Sequence, residues 1–481
     1  MSSLIKRHLP FLLPLLVLAL FLTRSLWATG SVPDTHDGIY HVVRMSELWE
    51  MLKGGQFPVR YATNLDNHFG IPLFNYVYPL PYYLGLPVVA LGLSPFWAVK
   101  LVTLGAYLLG GLGVYLLGAH KRWIALVAGI LYLSAPYQLL NIFVRGALGE
   151  TLAIGVLPWV VLAGLDLHTQ RRWYHPLPLA LLFLSHSFLS FLFLPVYLLL
   201  IRPQKAHWIS LMLSLGIASW YLIPALGEAN LVQSIARSDF SFRYSDHFVY
   251  PLQLIWSRWG MGLSVAGAGD GISFQLGLAL ILSFIFSSVT AISARAFKLP
   301  LLILCSLFLM LPASAFIWHL FSPLQLVQFP WRLLFLPTFL IPYLYLRFPP
   351  KSTLSTPILL GIALVFGWLF ATPRYPQSND QYMAQWYSNR YGTTTSLRAE
   401  LLPKWVSGEP SEEYLPLHYF PLWEALDARG RGVPLTPSDT GQITFDRTQF
   451  NEPLTLSLHQ TPLEIFANLL TLITLVVLVF I

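Results

Sequence analysis

Hydrophobic positions in this chain fall into long unbroken runs rather than strand-like alternation or one-sided helical stripes. The runs cover 9–29, 97–118, 124–140, 150–168, 176–201, 208–226, 272–293, 299–319, 324–346, 354–371 and 463–481. A helix needs about 20 mostly apolar residues to cross a bilayer, and these runs are of that order. Ser185-His186-Ser187 interrupts the run 176–201, which predicts two short helices joined at a tight turn and twelve spans in all. There His186 is expected to satisfy backbone groups. The stretch 73–93 is apolar but dense in Pro, Tyr and Asn, and predicts a helix lying in or dipping into the interface. Polar positions gather in the segments 30–96, 141–149, 227–271 and 372–462.

The last of these segments is different in kind. Ile443-Thr444-Phe445 and Leu454-Thr455-Leu456-Ser457-Leu458 alternate with period two, and Ala428-Arg429-Gly430-Arg431-Gly432 is a turn signal. The expected organisation is an all-α polytopic domain over 1–371 with a large first outer loop at 30–96. A small β-rich domain over 372–462 and a final membrane helix over 463–481 follow.

Basic pairs orient this arrangement. Lys6/Arg7, Lys121/Arg122, Arg171/Arg172, Arg202/Lys205, Arg295/Lys298 and Arg347/Lys351 all fall on one side when the N-terminus is cytoplasmic and 73–93 does not span. The four polar segments, the β-rich domain among them, are then outside. The first run lacks a small-residue cleavage site and reads as an uncleaved anchor. No internal repeat is evident.

Composition narrows the classes further. Of 481 residues, 55% are hydrophobic and only 11% charged, against about 25% charged in ordinary soluble domains. The mean hydropathy is +0.60. A soluble enzyme is excluded, and the 15% of aromatic residues excludes intrinsic disorder. The single cysteine, Cys305, leaves no intrachain disulfide and no cysteine-built metal site. The net charge of +7 is scattered in pairs between apolar runs, which fits a membrane protein and no nucleic-acid partner.

Candidate chemistry concentrates just past the first run, at Pro33-Asp34-Thr35-His36-Asp37-Gly38-Ile39-Tyr40-His41-Val42-Val43-Arg44. If Asp37 begins a helix, Asp37, His41 and Arg44 share a face at i, i+4 and i+7. Carboxylates beside a bilayer are costly unless used. Asp37, then Asp34, is therefore the leading candidate for a functional carboxylate; the bland alternative is a capping or solvated residue. Glu150, opening a run, is a second acidic candidate for positioning or metal binding, or else a helix N-terminal acid. Arg332 lies inside the run 324–346, where a central Arg costs roughly 2.5–3.5 kcal/mol. It wants a phosphate or a carboxylate. Arg44, Arg60, Arg145 and Arg258 are further candidate phosphate ligands. His36, His41 and His68 offer nitrogen ligands for a divalent cation such as Mg or Mn, with His41 foremost, although no tight ligand spacing is present. Trp256, Arg258 and Trp259 mark the 227–271 segment as an interfacial substrate loop.

Several pieces of sequence resemble the membrane-embedded glycosyltransferases of the GT-C superfamily. More closely they resemble the bacterial and archaeal membrane proteins termed 6-pyruvoyl-tetrahydropterin-synthase-related. The pieces are Asp37-Gly38 with His41 and Arg44, Phe57-Pro58 with Arg60, Gly70-Ile71-Pro72-Leu73-Phe74 and Tyr78-Pro79-Leu80. Val144-Arg145-Gly146-Ala147-Leu148-Gly149-Glu150, Gln328-Phe329-Pro330-Trp331-Arg332 and Glu400-Leu401-Leu402-Pro403-Lys404-Trp405 follow in order. Tyr419-Phe420-Pro421-Leu422-Trp423 resembles the start of the outer β domain in related proteins, where Gly is commoner than Leu422. No pterin-synthase-like metal site accompanies the family name.

The resemblance implies a multi-pass protein of the plasma membrane with its active site on the outer face. It implies transfer of a sugar from a polyprenyl-phosphate donor to a glycan, lipid or protein acceptor of the cell envelope, with inversion. A carboxylate would take the acceptor proton while Arg or a divalent ion stabilises the leaving phosphate. Two other classes stay open. A transporter or flippase of lipid-linked precursors would place ionisable groups at the membrane midplane in repeated halves; here they crowd the outer loops. A non-catalytic envelope scaffold would keep the fold without the chemistry.

Overall fold

The computed structural model describes residues 2–233, 243–352, 354–371, 380–395, 400–450 and 453–480. Parts of two expected outer segments, 234–242 and 372–379, lie outside the described residues.

Helices dominate. Among the described residues, four are long and apolar enough to cross a membrane: Pro95–Leu117, Leu148–Asp166, Lys205–Gly227 and Pro462–Val479. Two bent pairs add a possible span each, Ala119–Leu133 with Pro136–Arg145 and Lys298–Phe308 with Pro312–Leu320, the second bent by 94°. The first run forms the 21-residue helix Ser2–Leu22, with Pro10 and Pro14 inside it, and the remaining runs form helices of 9–16 residues, so length and composition support up to six spans and leave the expected twelve unconfirmed. The shortening has local causes. Gly277, at φ +83°, delays the helix Leu278–Ser293 until well inside its apolar run, whose C-terminal end it then fills. His186 divides Leu177–Ser185 from Ser187–Ile201, its side chain accepting from the Leu189 amide as a cap.

Leu148–Asp166 is the most buried of the long helices. It packs against Pro95–Leu117 with almost no spacer: a Cβ at Gly155 would lie 2.3 Å from the Ala106 carbonyl oxygen. Small residues at such contacts let backbones approach, which is how helices associate where lipid removes the hydrophobic driving force.

The loop 30–96 is a folded platform, not a tether. The helices Gly38–Lys53 and Leu80–Ala90 bury Val42, Val43, Met45, Leu48 and Tyr82 with Ile71, Phe74, Val99 and Leu148. Leu80–Ala90, at 11 residues, is half the length a span needs.

Near the C-terminus lie two three-stranded antiparallel sheets. Strands β1 (Leu415–His418), β5 (Gln442–Thr444) and β4 (Thr436–Pro437) pair in the order β1-β5-β4. Strands β3 (Gly432–Val433), β2 (Trp423–Leu426) and β6 (Thr455–Leu458) pair as β3-β2-β6. Ala425, Val433 and Phe445 form their core. The turn between β2 and β3 is held by Asp427, which accepts from the amides of Arg429 and Arg431. These sheets dock on the first loop. The His418 amide donates to the Phe69 carbonyl at 2.8 Å, and His418 Nε2 lies 2.7 Å from Asp66 Oδ2. Asp66, Asn67 and His68 are all left-handed, with φ of 54°, 54° and 70°. Amide bonds from Asp66 to the Thr393 carbonyl and from Asn67 to the Tyr391 carbonyl hold that unusual run.

Candidate active site

Two polar segments far apart in sequence meet at one point. The His36 amide donates to the Val144 carbonyl at 3.0 Å, and the Asp37 amide to the Arg145 carbonyl at 2.8 Å. Gly146 makes this junction possible. Its φ is +65°, and a Cβ there would sit 2.3 Å from Thr35 Oγ1 and 2.7 Å from the Gly38 amide. Only glycine accepts both the backbone angle and the crowding.

Asp37 immediately precedes the helix Gly38–Lys53, as the i, i+4, i+7 spacing requires. Its side chain is half-buried, does not cap the helix, and has no hydrogen bond or ion pair among the described residues. One turn on, His41 Nδ1 lies 2.8 Å from the Tyr82 hydroxyl, and the Leu148 amide approaches its Nε2 at 3.4 Å. Burial, and secondarily the neighbouring Arg44, hold the His41 imidazole well below its ordinary pKa, so it is neutral at pH 7. Arg44 donates to the Tyr82 hydroxyl and to the carbonyl and Oγ1 of Thr395. Tyr78 stacks between Tyr82 and His186, with centroids at 6.3 and 5.2 Å.

The facing wall is a buried ionic cluster. Arg145 Nη1 lies 2.7 Å from Glu150 Oε2, and Tyr137 donates its hydroxyl to Glu150 Oε1. Asn141 accepts a second bond from Arg145, whose guanidinium lies over the Trp331 ring at 4.8 Å. Arg332, in the short helix Pro330–Leu334, donates through Nη1 to the Val327 carbonyl and covers the Phe329 ring. Its Nε is buried without a hydrogen-bond partner. The Asp37 carboxylate is near enough to act electrostatically on Arg44, Arg145 and Arg332. Three guanidiniums therefore face two carboxylates, and one of those carboxylates, Glu150, is fully engaged. The surplus is positive. Such a site accepts an anion and leaves Asp37 free to accept a proton.

The remaining sequence candidates scatter. Asp34 is exposed, with no partner among the described residues. Arg60 is engaged elsewhere, donating to the Trp220 carbonyl at 2.5 Å and facing Glu464 at 3.8 Å. In the 227–271 segment Trp256 and Arg258 are exposed, while Trp259 packs on Phe370 at 4.8 Å. This segment still reaches the first loop, because His36 Nε2 lies 3.0 Å from the Met261 carbonyl. His68 packs against Tyr391. His41 is occupied by Tyr82 and Leu148, and no three His, Cys, Asp or Glu side chains converge among the described residues. Sequence reasoning missed Tyr137, Asn141 and Trp331 as parts of the cluster. Their signal was present: Tyr137, Gln138 and Asn141 are polar residues at the end of an apolar run, just past the helix-breaking Pro136.

The family described as 6-pyruvoyl-tetrahydropterin synthase related, a membrane-protein family, matches residues 74–321, just over half of the chain. No curated protein matches the sequence significantly. Among solved structures, the arabinofuranosyltransferase AftD from Mycobacteria aligns with 79% of this chain at 17% identity and a TM-score of 0.44. A mutant of that enzyme aligns over the same share at a TM-score of 0.48. The chain spans only 28–30% of the length of those proteins.

Proposed function

The chain belongs to the 6-pyruvoyl-tetrahydropterin synthase related family of membrane proteins, and from that premise and the site above we propose that it is a membrane glycosyltransferase of the GT-C type. Its donor is a sugar on polyprenyl phosphate, its acceptor a hydroxyl-bearing envelope molecule, and its active site lies on the outer face. The likeness to a mycobacterial arabinofuranosyltransferase is in keeping with this reading.

The observation that carries it is the division of labour between two acids. Glu150 is tied to Arg145 and Tyr137, so it holds a cation in place and has no capacity left for proton transfer. Asp37 has no such tie. In the proposed reaction Asp37 accepts the proton of the acceptor hydroxyl as that oxygen attacks the sugar C1. The bond from C1 to the phosphate oxygen breaks on the opposite side, and the lipid phosphate leaves with the electron pair toward Arg332 and Arg145. The configuration at C1 inverts. The metal-free form of the mechanism fits the surplus of guanidinium charge, since a divalent cation would be repelled there.

The test is transfer from a polyprenyl-phosphate sugar by Asp37→Asn protein in native-like membranes. Loss of turnover with normal insertion and normal donor binding supports the assignment. Unchanged turnover in Asp37→Asn, Asp34→Asn and the double variant removes it.

A further inference from the structure

Outside the ionic cluster the structure has a second concave feature. A cavity of about 620 Å³ is lined by Gln385, Trp386, Asn389, Gly392 and Thr393, within the roughly 300–1,000 Å³ typical of small-molecule sites. We propose that this cavity binds a neutral oligosaccharide and is the subsite for the acceptor's glycan; the acceptor role rests on the glycosyl-transfer reading above, whereas the saccharide binding does not.

The lining chemistry points to a sugar. Gln385 and Asn389 lie one helical turn apart, exposed, and their amide groups make no hydrogen bond among the described residues. Each amide can donate and accept at once, which matches vicinal hydroxyls. Between them Trp386 offers a broad aromatic surface for the C–H face of a pyranose or furanose ring. Gly392 adds no side chain; its amide donates to the Asn389 carbonyl, and Asn67 Oδ1 lies 3.4 Å from where a Cβ would sit. None of the five lining side chains is charged. Arg390, the cation beside these residues on the chain, is turned to its neighbours: its guanidinium sits over the rings of Tyr387 and Tyr391 at 4.5 and 4.4 Å and donates to the Tyr391 hydroxyl and the Tyr387 carbonyl. A neutral glycan therefore fits better than an acidic one.

The cavity is also coupled to the reacting end. Trp386 meets Tyr40 edge-on at 5.5 Å, and Tyr387 donates to Ser46 at 2.8 Å, both on the helix that begins after Asp37. Tyr40 is about one turn from Asp37. The same segment continues to Thr395, which holds Arg44. A glycan seated on Trp386 would thus extend along this helix toward the free carboxylate.

The full chain in detergent, titrated with neutral arabino-, manno- and gluco-tetraoses and followed by calorimetry and saturation-transfer NMR, tests the inference. One of these series is expected to bind, and Gln385→Ala/Asn389→Ala to weaken it about tenfold through two lost hydrogen bonds. Both positions are exposed, so the thermal transition of that variant should match the wild type. Trp386→Ala should weaken binding further, with Trp386→Phe recovering part. Asp37→Asn should bind the same oligosaccharide as wild type. Absence of binding by every neutral series, binding indifferent to these substitutions, or stronger binding of an acidic oligosaccharide or a peptide overturns the inference. Saccharide binding without any transfer activity would sink the glycosyl-transfer reading and leave the saccharide site standing. Transfer whose acceptor KM ignores the cavity variants would do the reverse.

Discussion

Two buried ionic clusters join the first outer loop to membrane helices, and they have opposite surpluses. At Asp37 three guanidiniums meet two carboxylates. At Arg60 one guanidinium meets two carboxylates, Glu228 and Glu464. Both oxygens of Glu228 are taken, one by Asn75 at 2.7 Å and one by Thr461 at 2.6 Å, while Glu464 accepts from the Thr461 amide. The second cluster carries the negative surplus and repels an anion, although Arg60 Nε and Nη1 and Glu464 Oε1 are themselves buried without hydrogen-bond partners. The first is left open on the side of Arg332 Nε and Asp37. The contrast separates a joint from the proposed reaction centre: the residue types are the same, and what differs is which charges are left over.

The largest expected effect is chemical. Asp37→Asn should lower turnover about 10²–10⁴-fold, whereas Asn at Asp34, exposed and remote from the guanidiniums, should leave it near wild type. Rates measured side by side would break the comparison if Asp34→Asn were the dead one. Next comes stability. Removing one partner of a buried pair costs about 3–5 kcal/mol, so Glu150→Gln should lower the unfolding midpoint markedly as well as the rate. A Glu150→Gln protein as stable as wild type would show that the 2.7 Å contact to Arg145 carries little weight.

A smaller effect sharpens the difference in sign. Arg332→Ala should weaken binding of polyprenyl phosphate roughly 10–100-fold, the worth of one charge-assisted contact, with Lys recovering only part because it lacks the planar fork. Arg60→Ala should destabilise the protein without altering that affinity. Equal losses of lipid affinity in both variants would erase the distinction. The smallest effect is a pH dependence. His41 has a folded pKa below its unfolded value of about 6.5. Its contribution to stability is complete above that pH and declines as pH falls through 6.5 toward the folded value. Denaturation midpoints between pH 7.5 and 5.5 should fall, and should fall less in His41→Gln.

Much of this was legible in the chain. Ser185-His186-Ser187 marked the helix break, the alternation at 443–445 and 454–458 marked strands, and the spacing of Asp37, His41 and Arg44 marked a shared helical face. Two things were not. Twelve full-length spans are not confirmed, because hydropathy does not register where Gly277, at φ +83°, delays a helix to Leu278 or where the run 299–319 bends by 94°. The pairing of Asp37 with Arg145, and of Arg60 with Glu464, was also hidden. Each rests on contacts across a hundred or more residues, and a single sequence has periodicity for neighbours along a helix but no signal for partners so distant. Hence Arg60 and Arg145 looked alike as sequence and differ in place.

Those distant contacts also set an order in time. Arg60 of the first loop finishes its coordination only with Glu464 and Asn468, on the helix Pro462–Val479. At roughly 5–20 residues per second of synthesis, about 20–80 s pass between the two partners leaving the ribosome. During that interval the loop bearing Asp37 has its Val144 and Arg145 anchor but not its second one. The loop that carries Asp37 therefore gains its second anchor only when the helix Pro462–Val479 is seated, so a chain stalled before that helix would hold Asp37 on a platform fixed at one end.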